Sequence, residues 1–384
     1  MERHLLIGVS TRAIAESAVK SGVEILTLDH FGDQDQRSLV NNRSLVRDCG
    51  LPFSVENLLK ASETLVFDRV SYTSNLENHP EVVAELAKRA KLAGNSFKTL
   101  GCIRDWKLLR VFCRDKSVKH PVTLLPGEEG QATADRSWLV KPVKSGGGHH
   151  IHHWAGKPLS DGSILQEYVD GVSFSAAFVA NGRQGVVLGL TSQLNGLTEL
   201  GVDGYNWCGN ILPFTVPAEK KKTLLREIED LINHLTEHFE LKGVGGIDFI
   251  LTEGGDGQLS PLLLEVNPRY TGSMELIEWA YGLNIYSLHL DACDGHLPEF
   301  SLSEQVDEGY YGKGIVFARQ DVVIQDTKNW LNSGRRDIPF VGDRIKKGHP
   351  ICTIFAQADT NYDCLANLFA STDKLRLEIS DIRR

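Results

Sequence analysis

In the stretch LLLEVNPRYTGSME, residues 262–275, an apolar run ends in a carboxylate, an amide and a guanidinium within five positions, at Glu265, Asn267 and Arg269. Alternate side chains of a β-strand share a face, so this spacing brings all three to one point if the strand continues through them. Two oxygen donors and a cation at one point suit a hard divalent metal ion carrying phosphates. The same letters also describe a strand that ends in solvent before a proline, with Glu265 exposed. Other segments must decide between the two.

WLVKPVKSGGGHHI, residues 138–151, reads as a strand ending in Lys141 and running into Ser145, Gly146, Gly147 and Gly148. Three glycines in succession let backbone amides approach an anion closely, and Lys141 and Lys144 add charge to the same cradle. It is not the GxxxxGK[ST] phosphate loop. Four histidines follow within HHIHHW, but on a strand His149 and His153 face away from His150 and His152, so they read as loop-flanking residues rather than a metal site. ILQEYVDGVSFSAAFVA, residues 164–180, predicts two strands joined at Asp170–Gly171. The linker places Gln166, Glu167, Tyr168 and Val169 where backbone groups could meet a heterocycle. GGIDFILTEGGDGQLSPLLLEVNPR puts Asp248 on one strand and Glu265 and Asn267 on its neighbour, across a glycine-rich hairpin tip.

These side chains need rigid elements to position them. HLLIGVS, TRAIAESAVKSG and VEILTLD open the chain as β-α-β, without the GxGxxG of a dinucleotide site, and Gly8 reads as a packing residue. LENHPEVVAELAKRAKLAG predicts another helix. In AEKKKTLLREIEDLINHLTEHFE, Leu224, Ile228, Leu231, Ile232 and Leu235 keep helical spacing. GYNWCGNILPF, residues 204–214, reads as turn-rich and aromatic, and DRIKKGHPICTIFA as a hairpin packing on the core.

With 384 residues, 41% hydrophobic and 24% charged, the chain has room for two or three packed domains and reads as soluble. Its apolar runs are far short of the roughly 20 residues that cross a bilayer, and the start MERHLLIGVS is no signal peptide, so a cytoplasmic location and no membrane partner are expected. Seven scattered cysteines without a CxxC pair exclude a disulfide framework or zinc ribbon. The net charge of −9 argues against nucleic acid and for a small-molecule partner.

In order, these motifs resemble the ATP-grasp superfamily of carboxylate–amine (or carboxylate–thiol) ligases. The ordered set is Lys141, Gly146 to Gly148, Glu167, Asp248, Glu265 and Asn267, and the resemblance covers roughly residues 1–300. It implies an α/β (α+β) ATP-grasp fold. Residues 1–103 would form a pre-ATP-grasp α/β domain, residues 104–300 the two-lobed nucleotide-binding region with a lid at about 120–170, and residues 301–384 a β-rich extension on the core. It also implies ATP with Mg2+, or Mn2+ in its place. Asp248, Glu265 and Asn267 would hold the metal, and Arg269 would steady the transferred phosphoryl group. Lys141 would meet the α-phosphate, Ser145 and Gly146 to Gly148 would cover the β- and γ-phosphates, and Glu167, Tyr168 and Val169 would receive adenine. Lys107, in RDWKLL, matches an earlier nucleotide-binding lysine. Ser173 stands where the family often carries an acidic residue for the ribose, with Asp170 as a substitute.

The resemblance further implies ligation of a carboxylate to an amine through an acyl phosphate, with release of ADP and phosphate, in a chain that could pair as a homodimer. Within the superfamily the chain looks most like carboligases distantly related to biotin carboxylase, some associated with one-carbon cofactor biosynthesis; a tyramine–glutamate type of ligase is the narrowest reading. Two alternatives stand beside it: bicarbonate activation in the manner of biotin carboxylase, and a nucleotide-binding regulatory module without turnover.

Overall fold

A computed structural model describes residues 2–255 and 257–380; residue 256, in the glycine-rich tip, lies outside the described residues. The amino-terminal unit alternates strands β1 (Arg3–Ile7), β2 (Glu24–Asp29), β3 (Asn41–Ser44), β4 (Arg69–Tyr72) and β5 (Lys91–Leu92) with helices α1 (Arg12–Val19), α2 (Gln34–Leu39), α3 (Val55–Ser62) and α4 (Pro80–Ala87). The strands form a parallel sheet in the order β3-β2-β1-β4-β5. Leu5, Leu6 and Ile7 are fully buried, as a strand covered on both faces requires. A Cβ on Gly8 would lie 2.0 Å from Thr73 Oγ1, so the absent side chain lets the loops after β1 and β4 touch.

Two helices, α5 (Phe97–Ile103) and α6 (Trp106–Asp115), lead onward, and Asp105 caps α6 by accepting from the amides of Lys107 and Leu108. A small antiparallel sheet follows, with strands β6 (Thr123–Leu124), β7 (Trp138–Pro142), β8 (His152–His153) and β9 (Ser163–Glu167) in the order β6-β9-β7-β8.

The main sheet contains β10 (Val172–Asn181), β11 (Gly185–Asn195), β12 (Trp207–Leu212), β13 (Lys242–Glu253), β14 (Leu259–Asn267) and β15 (Tyr310–Phe317). Helices α7 (Ala218–Phe239), α8 (Met274–Tyr281) and α9 (Ile285–Cys293) cover it. Further on come β16 (Val322–Val323), β17 (Arg344–Ile345), β18 (Pro350–Ala358) and α10 (Asn361–Ser380). With β18 the main sheet reads β14-β13-β10-β11-β12-β15-β18.

Period-two alternation splits its sides. Phe174, Phe178, Phe249, Leu263 and Val266 pack under Ile228, Ile232 and Leu235 of α7. Ala177, Val179 and Val244 face the opposite layer with α8, α9 and α1. Asp248, between Ile247 and Phe249, therefore points away from α7.

Two segments differ from their sequence readings. Trp207–Leu212 is an interior strand rather than a turn, paired on both edges, with Asn210 buried. DRIKKGHPICTIFA is not a hairpin: Arg344–Ile345 pairs with β16 and Pro350–Ala358 with β15. The 20 residues of α10 also had no sequence counterpart. No described helix is long and apolar enough to cross a membrane.

Candidate active site

Asp248 and Glu265 stand opposite each other on β13 and β14, and Asn267 pairs with Gly246 two residues along. The register shifts just beyond Asp248, where Phe249 faces Leu263. Such a bulge locally re-aims side chains and is over-represented next to active sites. Asp248 Oδ1 accepts from Ser175 Oγ at 2.9 Å and Gln193 Nε2 at 2.8 Å, and Oδ2 accepts from Asn267 Nδ2 at 2.9 Å. β14 ends at Asn267, so Arg269 reaches the group from beyond the strand. Its guanidinium donates to Asn267 Oδ1 at 3.2 Å and to Glu77 Oε1 at 2.9 Å.

The electrostatics mark this as a crowded charge site. Burial, then the charge of Glu265, push the Asp248 carboxyl up to about 6. Burial would raise Glu265 as well, but Arg104, Lys141 and Arg269 hold it below its ordinary value. Lys141, on β7, is pushed down by burial and by Arg104 while Glu265 and Asp248 draw it up, and its Nζ donates to Gln166 Oε1 at 3.0 Å. Asp248, Glu265, Asn267, Arg269 and Lys141 are thus one neighbourhood.

Other candidates sit apart from that centre. Lys107 lies on the exposed side of α6. Arg104, three residues earlier, takes the place beside Glu265: Nη1 donates to Glu265 Oε1 at 2.6 Å, and Nη2 to the carbonyl of Val143 at 3.2 Å, at the start of the glycine loop. Ser145 Oγ donates to the His149 carbonyl at 3.3 Å. Gly147 accepts from the Trp207 amide at 2.9 Å, and a Cβ on Gly148 would lie 1.8 Å from the Tyr205 carbonyl oxygen. The loop therefore lies against residues 205–207 of the main-sheet layer.

His153 Nε2 lies 3.1 Å from Tyr205 Oη. Among the described residues no three His, Cys, Asp or Glu side chains gather as metal ligands, the four histidines included. Glu167, Tyr168 and Val169 span the link from β9 to β10, between the small and main sheets. Glu167 Oε2 accepts from the Val122 amide and from Arg136, both at 3.2 Å, and Tyr168 is 40% exposed. A cavity of about 360 Å3 beside that link is lined by Arg136, Ser137, Trp138 and His153. Another, of about 250 Å3, is lined by Lys98, Leu108 and His238, away from the carboxylates.

Sequence reading missed Arg104, Glu77 and Asn78. Arg104 is separated by 161 residues from Glu265, and Glu77 by 192 from Arg269. The only local hint is a charged or amide side chain in a short connector, which many solvent-facing residues share.

Residues 105–273 match the family model described as an ATP-grasp domain. An uncharacterized protein of Methanocaldococcus jannaschii is 22% identical over 383 residues, covering 92% of this chain and 88% of its own. Among solved structures, an L-amino acid ligase from Bacillus licheniformis superposes with a TM-score of 0.69 at 15% identity, covering 97% of each chain. The biotin carboxylase domain dimer of the Hydrogenobacter thermophilus 2-oxoglutarate carboxylase, solved with MgADP and bicarbonate, gives 0.70 at 12% identity, covering 95% of this chain and 88% of that one. At these identities the superpositions speak for the fold alone. Residues 105–273 thus carry an ATP-grasp domain, set in a chain whose overall fold is shared with ATP-dependent ligases and carboxylases.

Proposed function

We propose that the protein is an ATP- and Mg2+-dependent ligase that joins a small carboxylate to an amine through an acyl phosphate. The observation that carries this reading is the pairing of Asp248 and Glu265 across β13 and β14, with Asn267, Arg269, Arg104 and Lys141 around them. The donor set fits a hard cation. Two carboxylates face each other with the Asn267 amide beside them, its nitrogen on Asp248 and its oxygen on Arg269, and the proton affinity of Asp248, raised by burial and by its neighbour, marks a repulsion that a cation relieves. Bound there, Mg2+ would neutralise charge on the phosphate oxygens.

The chain's own residues supply the rest. Lys141 and the Ser145–Gly148 loop would hold phosphate oxygens, and Glu167 to Val169, at the link between the two sheets, would receive adenine. Arg269 would face the phosphoryl group as it passes to a carboxylate oxygen. The amine then attacks the acyl carbon, phosphate leaves and the nitrogen gives up a proton. No side-chain nucleophile is required. In this reading residues 1–103 present the acceptor, residues 104–300 hold the nucleotide under a lid at about 120–170, and residues 301–384 close the main sheet. A one-carbon cofactor precursor as substrate is the narrower form, carried by sequence resemblance alone.

ADP release across a panel of amino acids paired with amines tests the proposal, with biotin plus bicarbonate as a separate arm. Release that needs both an acid and an amine supports it. Release that needs only biotin and bicarbonate overturns it in favour of carboxylation, and nucleotide binding without release under any condition favours a regulatory module.

A further inference from the structure

The two arginines at the end of β14 are each held from the amino-terminal unit by one residue of a single short turn, Leu76–Asn78. Glu77 Oε1 accepts from Arg269 Nε at 2.9 Å, and Arg269 donates onward to Asn267 Oδ1. Asn78 Oδ1 accepts from Arg104 Nε at 2.9 Å, and Arg104 donates onward to Glu265 Oε1. Neighbouring residues of one turn thus address neighbouring groups of β14 through two parallel guanidinium bridges.

The turn follows β4, beside β1, where the order of the parallel sheet reverses; ligands of open α/β sheets bind outside the strand ends at that place. The same unit also grips the backbone between Asn267 and Arg269: Tyr72 Oη and Asn95 Nδ2 donate to the Pro268 carbonyl at 3.2 and 3.1 Å.

Fold stability alone does not call for this arrangement. Glu77 and Asn78 are 2% and 3% exposed, yet Glu77 Oε2 and Asn78 Nδ2 are buried with no hydrogen-bond partner. A buried polar atom left unpaired carries a desolvation cost that asks for an explanation. A guanidinium on a long flexible stem, bonded on one side only, keeps freedom to rotate; a second partner behind it fixes its plane. Displacing a group at a reacting centre by about 1 Å is enough to slow reaction roughly 100-fold.

We infer that Glu77 and Asn78 are positioning residues that aim Arg269 and Arg104 at the transferred phosphoryl group, an inference that rests on the ligase reading above. They touch neither nucleotide nor acceptor. Their effect is confined to the geometry in which the phosphoryl group is in transit, and it makes docking of the amino-terminal unit a condition for transfer.

The test compares binding of Mg2+·ADP alone with binding of Mg2+·ADP plus fluoroaluminate, a planar mimic of a phosphoryl group between donor and acceptor, and so needs no knowledge of the acceptor. In the unmodified protein fluoroaluminate should tighten binding by roughly 100-fold, as transition-state mimics do. Glu77→Gln should cut that gain at least tenfold while the affinity for Mg2+·ADP stays within twofold. Asn78→Ala should do the same through Arg104, and it carries the test if Glu77→Gln does not fold. Equal weakening of both affinities in the variants would reduce the turn to a support of the fold and overturn the inference. So would a wild-type protein that binds Mg2+·ADP but gains nothing from fluoroaluminate. Failure to bind Mg2+·ADP at all would instead remove the ligase reading, and the inference with it.

Discussion

Asp248 and Glu265 face each other on paired strands, and three cations offset them unequally. Arg104 bonds Glu265 directly, whereas Asp248 is bonded by neutral Ser175, Gln193 and Asn267. Asp248 is therefore the carboxylate with unmet demand for positive charge. Asp248→Asn should lower Mg2+-dependent nucleotide turnover by roughly 100-fold or more, the scale of losing one fixed charge or donor at a reacting centre. The thermal midpoint should hold or rise, because the variant loses a buried charge repelled by Glu265. Parallel ADP-release assays and thermal melts check both halves; wild-type turnover would remove Asp248 from the metal set. Glu265 and Asn267 could be paired from the sequence because the two-residue period of a strand places them on one face, and the hairpin sets Asp248 opposite; Arg269 lies past the end of β14 and joins them from the connector. Arg104, Glu77 and Asn78 were not legible, because only tertiary packing brings those separate connectors to the end of β14. Lys107, the other lysine read from the sequence, is exposed on α6.

The glycine loop is the element whose sequence and structure can be compared glycine by glycine. Gly148 has φ +72° and no room for a Cβ beside Tyr205, whereas a Cβ on Gly146 would meet nothing within 4 Å. Gly148→Ala should therefore push the loop off residues 205–207 and weaken nucleotide affinity about tenfold or more, while Gly146→Ala stays within about twofold. Calorimetric titration with an ATP analogue and Mg2+ separates the two; equal losses would show that flexibility, not close approach, is what the loop requires. Amide exchange over residues 144–150 should slow when that analogue binds. Helix α7 was readable because eight of its residues are buried in register with 3.6 residues per turn. β12 was not: its glycine and asparagine are poor strand formers, and its register is set by β11 and β15. Arg344–Ile345 likewise takes β16 as its partner, a choice made by long-range pairing rather than by the turn beside it.

At the scale of the whole molecule, the amino-terminal unit meets the main sheet through a few buried polar contacts. His289 on α9 is one of them: its Nδ1 accepts from the Val244 amide at 3.0 Å and its Nε2 donates to the Ala93 carbonyl at 3.1 Å. Burial lowers its pKa to about 4, with the Ala93 hydrogen bond opposing and the charge of Arg69 assisting. The folded value lies below the 6.5 of an unperturbed histidine, so between them the unfolded chain binds the extra proton and stability rises with pH. The stabilisation is complete above pH 6.5 and is lost as pH falls toward 4. From pH 7 to 5 this one residue should account for about 2 kcal/mol of lost stability. Urea unfolding of His289→Gln should show a correspondingly shallower decline over that interval; an identical decline would place the acid sensitivity elsewhere. The order of α/β units was legible from hydrophobic periodicity, but the docking contacts were not, since His289, Asn95 and Tyr72 carry no local pattern that marks an interface. The proposed ligase chemistry requires a carboxylate oxygen to attack the γ-phosphorus of ATP. Its most direct test uses an active acid–amine pair with 18O in the acid's carboxylate, followed by mass analysis of the released phosphate. Phosphate carrying one 18O from the acid is the predicted result; phosphate whose new oxygen comes only from water would contradict it.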